Sequence, residues 1–174
     1  MEKAEELSQR MGSERIMVET DISITAADLY DYYLMHNYHS SSGIVGSTAG
    51  ALCVVAGFMT QRWALLIAGL VVLFYIPVTL YGKSRLQWNA TESFHQPLHY
   101  VLDEGGITVS QGEVKENQPW ESMVKAVSTS RSIIIYTAGR SASIFPRAQL
   151  GDQQGALIEV ISTHMPPAKV RIRS

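Results

Sequence analysis

Residues 44–81 read IVGSTAGALCVVAGFMTQRWALLIAGLVVLFYIPVTLY, and the only charged side chain among them is Arg62. As one helix, this stretch would be about 57 Å long, nearly twice the roughly 30 Å hydrocarbon core of a bilayer. Two helices over residues 44–59 and 63–81, joined by a turn at residues 60–62, would be about 24 and 28 Å long and close to that thickness. The stretch therefore predicts a transmembrane helical hairpin.

The rest of the chain has the composition of a soluble protein. The 174 residues include 14 Lys+Arg and 16 Asp+Glu, and all but one of these charges lie outside the apolar stretch. The basic residues form no stripe, which argues against nucleic acid as a partner because its phosphates require clustered positive charge. The single cysteine, Cys53, excludes an internal disulfide and a cysteine zinc site.

Small residues recur on one face of the first apolar helix. Gly46, Gly50, Cys53 and Gly57 are spaced by four, three and four residues. In lipid, helices associate mainly where small side chains let their backbones approach closely. We interpret this face as the one that packs the hairpin against itself. Dimerisation through it is the alternative, so a homo-oligomer is a possible assembly.

The flanking charges bear on orientation. Lys83 and Arg85 follow the second apolar helix, whereas Arg62 alone lies in the turn. Cytoplasmic loops carry the excess of Lys and Arg, so this bias favours both termini in the cytoplasm of a multi-pass protein of the cell (inner) membrane. No cleavable leader is predicted, because residues 1–12 are polar.

The segment before the hairpin predicts one strand and one helix. From Ile16 to Ile24 every second residue is apolar or Thr, which is typical of a half-buried strand. Thr25 and Asp28 have the spacing of a capping box, so a helix should follow from Ala26 to about His39. A single strand needs partners, which we expect after the hairpin.

The segment after the hairpin predicts a β domain. Strands are expected over residues 97–102, 107–110, 120–128, 132–137 and 142–145, and a helix over 153–163 before Pro166 and Pro167. The predicted segments are a polar tail (1–14), a strand and amphipathic helix (15–42), the hairpin (43–82), the β domain with its C-terminal helix (83–165) and a basic tail (166–174).

Three short motifs of the β segment carry a resemblance. They are YVLDEGGI at residues 100–107, Pro119-Trp120-Glu121, and Ile144-Phe145-Pro146-Arg147. With this order of elements, the chain resembles the YcxB-like family of bacterial membrane proteins. The resemblance implies a PH-like fold, a bent antiparallel sheet closed by a C-terminal helix. The fold class expected is thus an α+β membrane protein with a two-helix hairpin inserted in a PH-like β domain.

Few residues are candidates for binding. Arg147 offers a guanidinium for phosphate or lipid, and Lys83 and Arg85 are placed for headgroup contact. Trp120 is either a packing residue or a ligand platform, of which we favour packing.

Nothing in the sequence indicates catalysis. The histidine pairs 36/39 and 95/99 have helical spacing, but Pro97 interrupts the second pair and neither has the glutamate of a metalloprotease helix. A nucleophile elbow, a P-loop and a dinucleotide fingerprint are all missing from the sequence. We expect no enzyme, no catalytic residue, no cofactor and no metal.

These observations favour a membrane-anchored binding or scaffolding module. The expected partners are the lipid bilayer and an unidentified protein, which would dock on a sheet edge. The alternative is a lipid-binding or membrane-stress-sensing protein.

Overall fold

The computed structural model describes residues 17–138 and 141–173. These form two compact units: a β unit of the residues up to Ser23 and from Pro97 onwards, and a helical unit of Ile24–Gln96. The α+β expectation, with two long apolar helices, is confirmed. The predicted polar tail and Ile16 lie outside the described residues.

The helical unit contains α1 (Ala26–Tyr38), α2 (Ser41–Met59) and α3 (Trp63–Ala90), followed by a 3₁₀ turn at Glu92–His95. The capping box is confirmed: the Thr25 hydroxyl accepts from the Asp28 N–H, and the Asp28 carboxylate accepts from the Thr25 N–H at 3.0 Å. α2 begins three residues before its predicted start, because the Ser40 side chain accepts from the Gly43 N–H and caps the helix.

α3 continues nine residues beyond Tyr81, where the apolar stretch ends. These residues are helical because α1 packs beside them: Leu80 and Ser84 are buried, and Trp88 Nε1 donates to the Ile24 carbonyl at 2.9 Å. The predicted end at Tyr81 is therefore wrong for the helix, since hydropathy marks where the apolar surface stops rather than where the hydrogen-bond ladder stops.

The first sheet of the β unit is antiparallel, in the order β1 (Val18–Ile22), β2 (Leu98–Asp103), β3 (Gly106–Gln111) and β4 (Val114–Gln118). The alternation of β1 is confirmed, with its even positions buried and its odd positions exposed, and the strand pairs with β2. The helical unit is thus an insertion in the connection between β1 and β2. β4 was not predicted, because its residues VKENQ are mostly polar and exposed.

The second sheet has the order β7 (Ala142–Pro146), β6 (Ser132–Thr137), β5 (Met123–Ser128) and β8 (Val170–Arg171). Its first three strands are antiparallel, whereas β8 runs parallel to β5. Two corrections follow. The strands form two sheets of four rather than one bent sheet, since a 3₁₀ turn at Trp120–Ser122 separates β4 from β5, and the segment predicted as a basic tail contributes a strand.

The core of the β unit lies between the inner faces of the two sheets. Tyr100 of the first sheet and Phe145 of the second are buried, and their ring centroids are 4.8 Å apart. A short helix α4 (Arg147–Leu150) leads to α5 (Gln153–His164), which contacts β1 and β2. The buried residues of α5 are Leu157, Val160 and Ile161. Burial raises the pKa of Tyr100 to about 12, against the opposing effect of its hydrogen bond with Ser143.

Candidate functional site

The helical unit contains an open groove of about 530 Å³ between α1 and the last three turns of α3. We call it the interhelical groove. It is a composite of both helices, and its lining residues are Tyr33, His36 and Asn37 of α1 with Leu80, Lys83, Leu86, Gln87 and Ala90 of α3.

One wall of the groove is a chain of polar groups. The Tyr33 hydroxyl donates to Gln87 Oε1, and Asn37 Nδ2 donates to the Tyr33 carbonyl at 2.9 Å. Burial raises the pKa of Tyr33, and the hydrogen bond with Gln87 lowers it by less. Tyr33 therefore stays neutral at physiological pH and keeps its donor role. The first hydrogen bond uses Gln87 Oε1, so the amide nitrogen of this lining residue remains available as a donor.

The groove is electrostatically one-sided. None of its lining residues is acidic, and Lys83 is the one that carries a permanent positive charge. Arg85, two residues further along the helix, does not line the groove, because its guanidinium carbon lies 5.4 Å from the centroid of the Tyr81 ring. The sequence predicted headgroup contact for both Lys83 and Arg85, but only Lys83 lines the groove.

Two glycines of α2, Gly50 and Gly57, lie closely against α3 inside the hairpin. A Cβ on Gly57 would be 2.5 Å from the Leu66 backbone nitrogen, and one on Gly69 of α3 would be 2.8 Å from the Gly50 carbonyl oxygen. At Gly46 the nearest atom would be the Ile76 Cδ1 at 3.9 Å, an ordinary contact. Cys53 is half-buried. Gly50 and Gly57 are thus occupied by packing between α2 and α3.

Trp120 and Arg147 belong to the β unit. Trp120 is 7% exposed, donates from Nε1 to the Asp103 carbonyl at 2.8 Å and stacks on His164. A ring so enclosed packs within the β unit, which favours the packing interpretation of Trp120 over the ligand platform. Arg147 donates from Nη2 to the Arg173 carbonyl, and its Nε is buried with no hydrogen-bond partner in the described part of the chain. Part of this guanidinium therefore holds the segment after β8.

The histidines are dispersed over different contacts. His36 stacks on Tyr32, His39 Nδ1 lies 2.9 Å from the Met35 carbonyl, and His95 packs on Trp88. His99 lies between the carboxylates of Glu19 and Asp21, at 3.2 and 2.8 Å from its two ring nitrogens. Within residues 17–138 and 141–173, no three His, Cys, Asp or Glu side chains are grouped to hold a metal ion.

Sequence reasoning missed most of the groove. Leu80, Lys83, Gln87 and Ala90 recur at helical spacing and share one face of α3, which is a pattern that could have been read once the helix was extended past Tyr81. No local pattern identifies Tyr33 as the partner of Gln87, because 54 residues separate them.

The fold defines an α+β protein in which a pair of long apolar helices is inserted between the first two strands of a β unit. Residues 102–161 match the family model described as YcxB-like protein, which confirms the resemblance. The matched segment runs from the end of β2 into α5 and covers about a third of the chain. No curated protein and no solved structure matches the chain. The helical unit lies outside the family match.

Proposed function

We propose that the chain is an integral membrane protein in which α2 and the apolar part of α3 span the cell membrane. The observation that supports this most is that the apolar helices stay uncovered: only 17% of the hydrophobic window of α2 and 11% of that of α3 are buried. Phe58, Phe74 and Val78 are each more than 60% exposed. An exposed apolar surface of this size requires an apolar environment. The hydrocarbon core of a bilayer provides one, since both segments are about 28 Å long and the core is about 30 Å thick.

The proposed topology places both termini in the cytoplasm. Arg62 would lie in the outer turn of the hairpin, with Lys83 and Arg85 at the cytoplasmic face. This topology puts the β unit, which in this proposal is a PH-like domain, on the cytoplasmic side. The antiparallel pairing of β1–β4 and the C-terminal helix packed on β1 and β2 support that assignment.

Cysteine labelling tests insertion and orientation together. On a Cys53→Ser background, Gln61→Cys in the hairpin turn should react with a membrane-impermeant maleimide on intact cells, and Glu113→Cys between β3 and β4 only after lysis. The reverse pattern would overturn the orientation alone. Release of the protein from membranes by alkaline carbonate would overturn insertion itself.

We further propose that the β unit is a non-enzymatic binding or scaffolding module that recruits a protein through a sheet edge. β4 supports this, because it is an edge strand whose first four residues are exposed and whose Val114 is 72% exposed. An extended peptide can add to such an edge through backbone hydrogen bonds.

Mild-detergent capture of the tagged full-length protein tests this role. A partner retained by wild type should be lost in Val114→Lys and kept in Val124→Lys, a matched change at an exposed valine of β5. Equal retention in both variants would exclude the β4 edge as the binding site. Recovery of further copies of this chain alone would replace a protein partner with a homo-oligomer.

Lipid binding is the second candidate function, and the interhelical groove is the observation that favours it.

A further inference from the structure

We propose that the interhelical groove binds the phosphate headgroup of an anionic glycerophospholipid from the leaflet that α3 leaves at Tyr81. This inference rests on the proposed membrane insertion, and it assigns that membrane protein a specific lipid ligand. Three features of the groove support it: its position along the membrane normal, its charge, and the presence of both apolar and polar side chains in its lining.

The position of the groove along α3 matches the headgroup layer. Lys83 and Gln87 follow Tyr81 by two and six residues, hence by about 3 and 9 Å of helix rise. The polar layer of a bilayer adds about 5–7 Å to each side of the hydrocarbon core. With Tyr81 at the edge of the core, Lys83 lies inside the headgroup layer and Gln87 lies just beyond it, on the aqueous side.

The donors of the groove suit a phosphate. Neither the Lys83 ammonium nor the Gln87 amide nitrogen has a hydrogen-bond or ion-pair partner within the described part of the chain. An ammonium and an amide N–H line this groove and no acidic residue does, so the oxygens of a phosphodiester are suitable acceptors for them. A zwitterionic headgroup would bind less tightly, because its own ammonium group would be repelled by Lys83.

The apolar lining completes the fit to a lipid rather than to free phosphate. Leu80 is buried at the bilayer end of the groove, and Leu86 is 71% exposed at its side. Leu80 is on the bilayer side of Lys83, so its exposed edge can contact the glycerol backbone or the first methylenes of an acyl chain while the phosphate lies at Lys83. Inorganic phosphate would use the donors alone and gain no apolar contact.

The matched pair Lys83→Gln and Arg85→Gln separates a specific groove from general attraction. Both variants remove one positive charge from the same turn of α3, but only Lys83 lines the groove. Attraction of the membrane surface to basic residues depends on charge alone and treats the two variants equally. A bound headgroup distinguishes them.

The experiment uses full-length protein purified in mild detergent and mixed with phosphatidylglycerol or phosphatidylcholine, with the retained lipid counted by native mass spectrometry. Wild type should retain phosphatidylglycerol in preference to phosphatidylcholine. Lys83→Gln should lower that retention about fivefold, from the loss of one close charge interaction, and Arg85→Gln should change it less than twofold. Added inorganic phosphate should not displace the lipid.

Three results would overturn the proposal: equal losses in the two variants, no preference for the anionic lipid, or displacement by inorganic phosphate. Both replaced side chains are exposed, so neither substitution should disturb folding. Far-UV circular dichroism spectra that match wild type check that both variants are folded. Carbonate extraction separates the two levels of inference. A protein that resists extraction but shows no preference refutes the groove alone, whereas an extracted protein refutes the membrane anchor.

Discussion

The α2–α3 hairpin and the β unit distribute their side chains in opposite ways. In the hairpin, the buried positions of α2 are Gly43, Gly50 and Gly57, and the phenylalanines face outward. In the β unit the buried positions are large, with Phe145 and Ile133–Ile135 fully enclosed. In water, exposing large apolar side chains costs free energy, so they are buried. In lipid their exposure has no such cost, and close contact between helix backbones is the main attraction between helices. The difference between the two regions is what the proposed membrane insertion of the hairpin predicts.

The sharpest way to break this comparison is to remove the same side chain from both regions. Phe145→Ala should destabilise the β unit by about 3–5 kcal/mol, because it leaves a cavity beside Tyr100. Phe74→Ala, at a side chain that is 62% exposed on α3, should change stability by less than about 1 kcal/mol in detergent. Urea titration of the full-length protein in mild detergent, followed by tryptophan fluorescence, measures both. Similar losses would mean that the hairpin has a core like that of the β unit.

Alkaline pH sharpens the account of the β core. The pKa of Tyr100 is raised above the unfolded value of 10.0 to about 12, so the native state holds the proton more tightly than the unfolded state. The stabilisation is complete below pH 10 and is lost as pH rises towards 12, by up to about 3 kcal/mol.

Urea midpoints between pH 9 and 11.5 measure this loss for wild type and Tyr100→Phe. The variant should lose less stability with pH, although it is weaker at neutral pH for want of the hydrogen bond with Ser143. Parallel pH curves would mean that Tyr100 does not contribute.

The hairpin contact is tested by a methyl group. Gly57→Ala should destabilise the α2–α3 pair by about 1–3 kcal/mol, because the new Cβ would lie 2.5 Å from the Leu66 backbone nitrogen. Gly82→Ala on α3 meets nothing within 4 Å and should instead stabilise its helix by about 0.5–1 kcal/mol. Unfolding of each variant in a titration with sodium dodecyl sulfate gives the two signs. Equal effects would mean that the helices are not in contact at Gly57.

The smallest effect is expected at the hairpin turn. Gln61 has φ of 52°, and the Arg62 N–H donates to the Gly57 carbonyl at 3.0 Å, as in a helix C-cap whose left-handed position is usually glycine. Gln61→Gly should therefore stabilise the hairpin by about 0.5–1 kcal/mol in the same titration. A loss of stability would show that the Gln61 side chain contributes contacts that outweigh its backbone strain.

Local chemistry made much of the fold predictable. The apolar stretch, the alternation of β1 and the Thr25–Asp28 cap each depend on residues close together in sequence, and all three are seen in the structure. Prediction failed at β4 and β8, whose residues are polar or very few and become strands through the strands beside them. It also failed at the end of α3, where helical structure depends on contact with α1.

The candidate site divides in the same way. Headgroup contact by Lys83 and Arg85 was predicted from their place after the apolar stretch. That only Lys83 lines the groove depends on which face of α3 packs against α1. Likewise, the Gln149 side chain accepts a hydrogen bond from the Ser23 N–H and donates one to the Ser23 carbonyl. The two residues are 126 positions apart, so no local sequence pattern predicts this contact.

The sequence by itself determined which segments are apolar, where α1 is capped and which face of β1 is buried, because these follow from each residue's own chemistry and that of its near neighbours. Only the tertiary structure decided that the strands form two sheets, that Gly50 and Gly57 of α2 pack against α3 and that a groove forms beside Lys83. Those features are contacts between residues far apart in the chain, and their free energy exists only once the elements have packed.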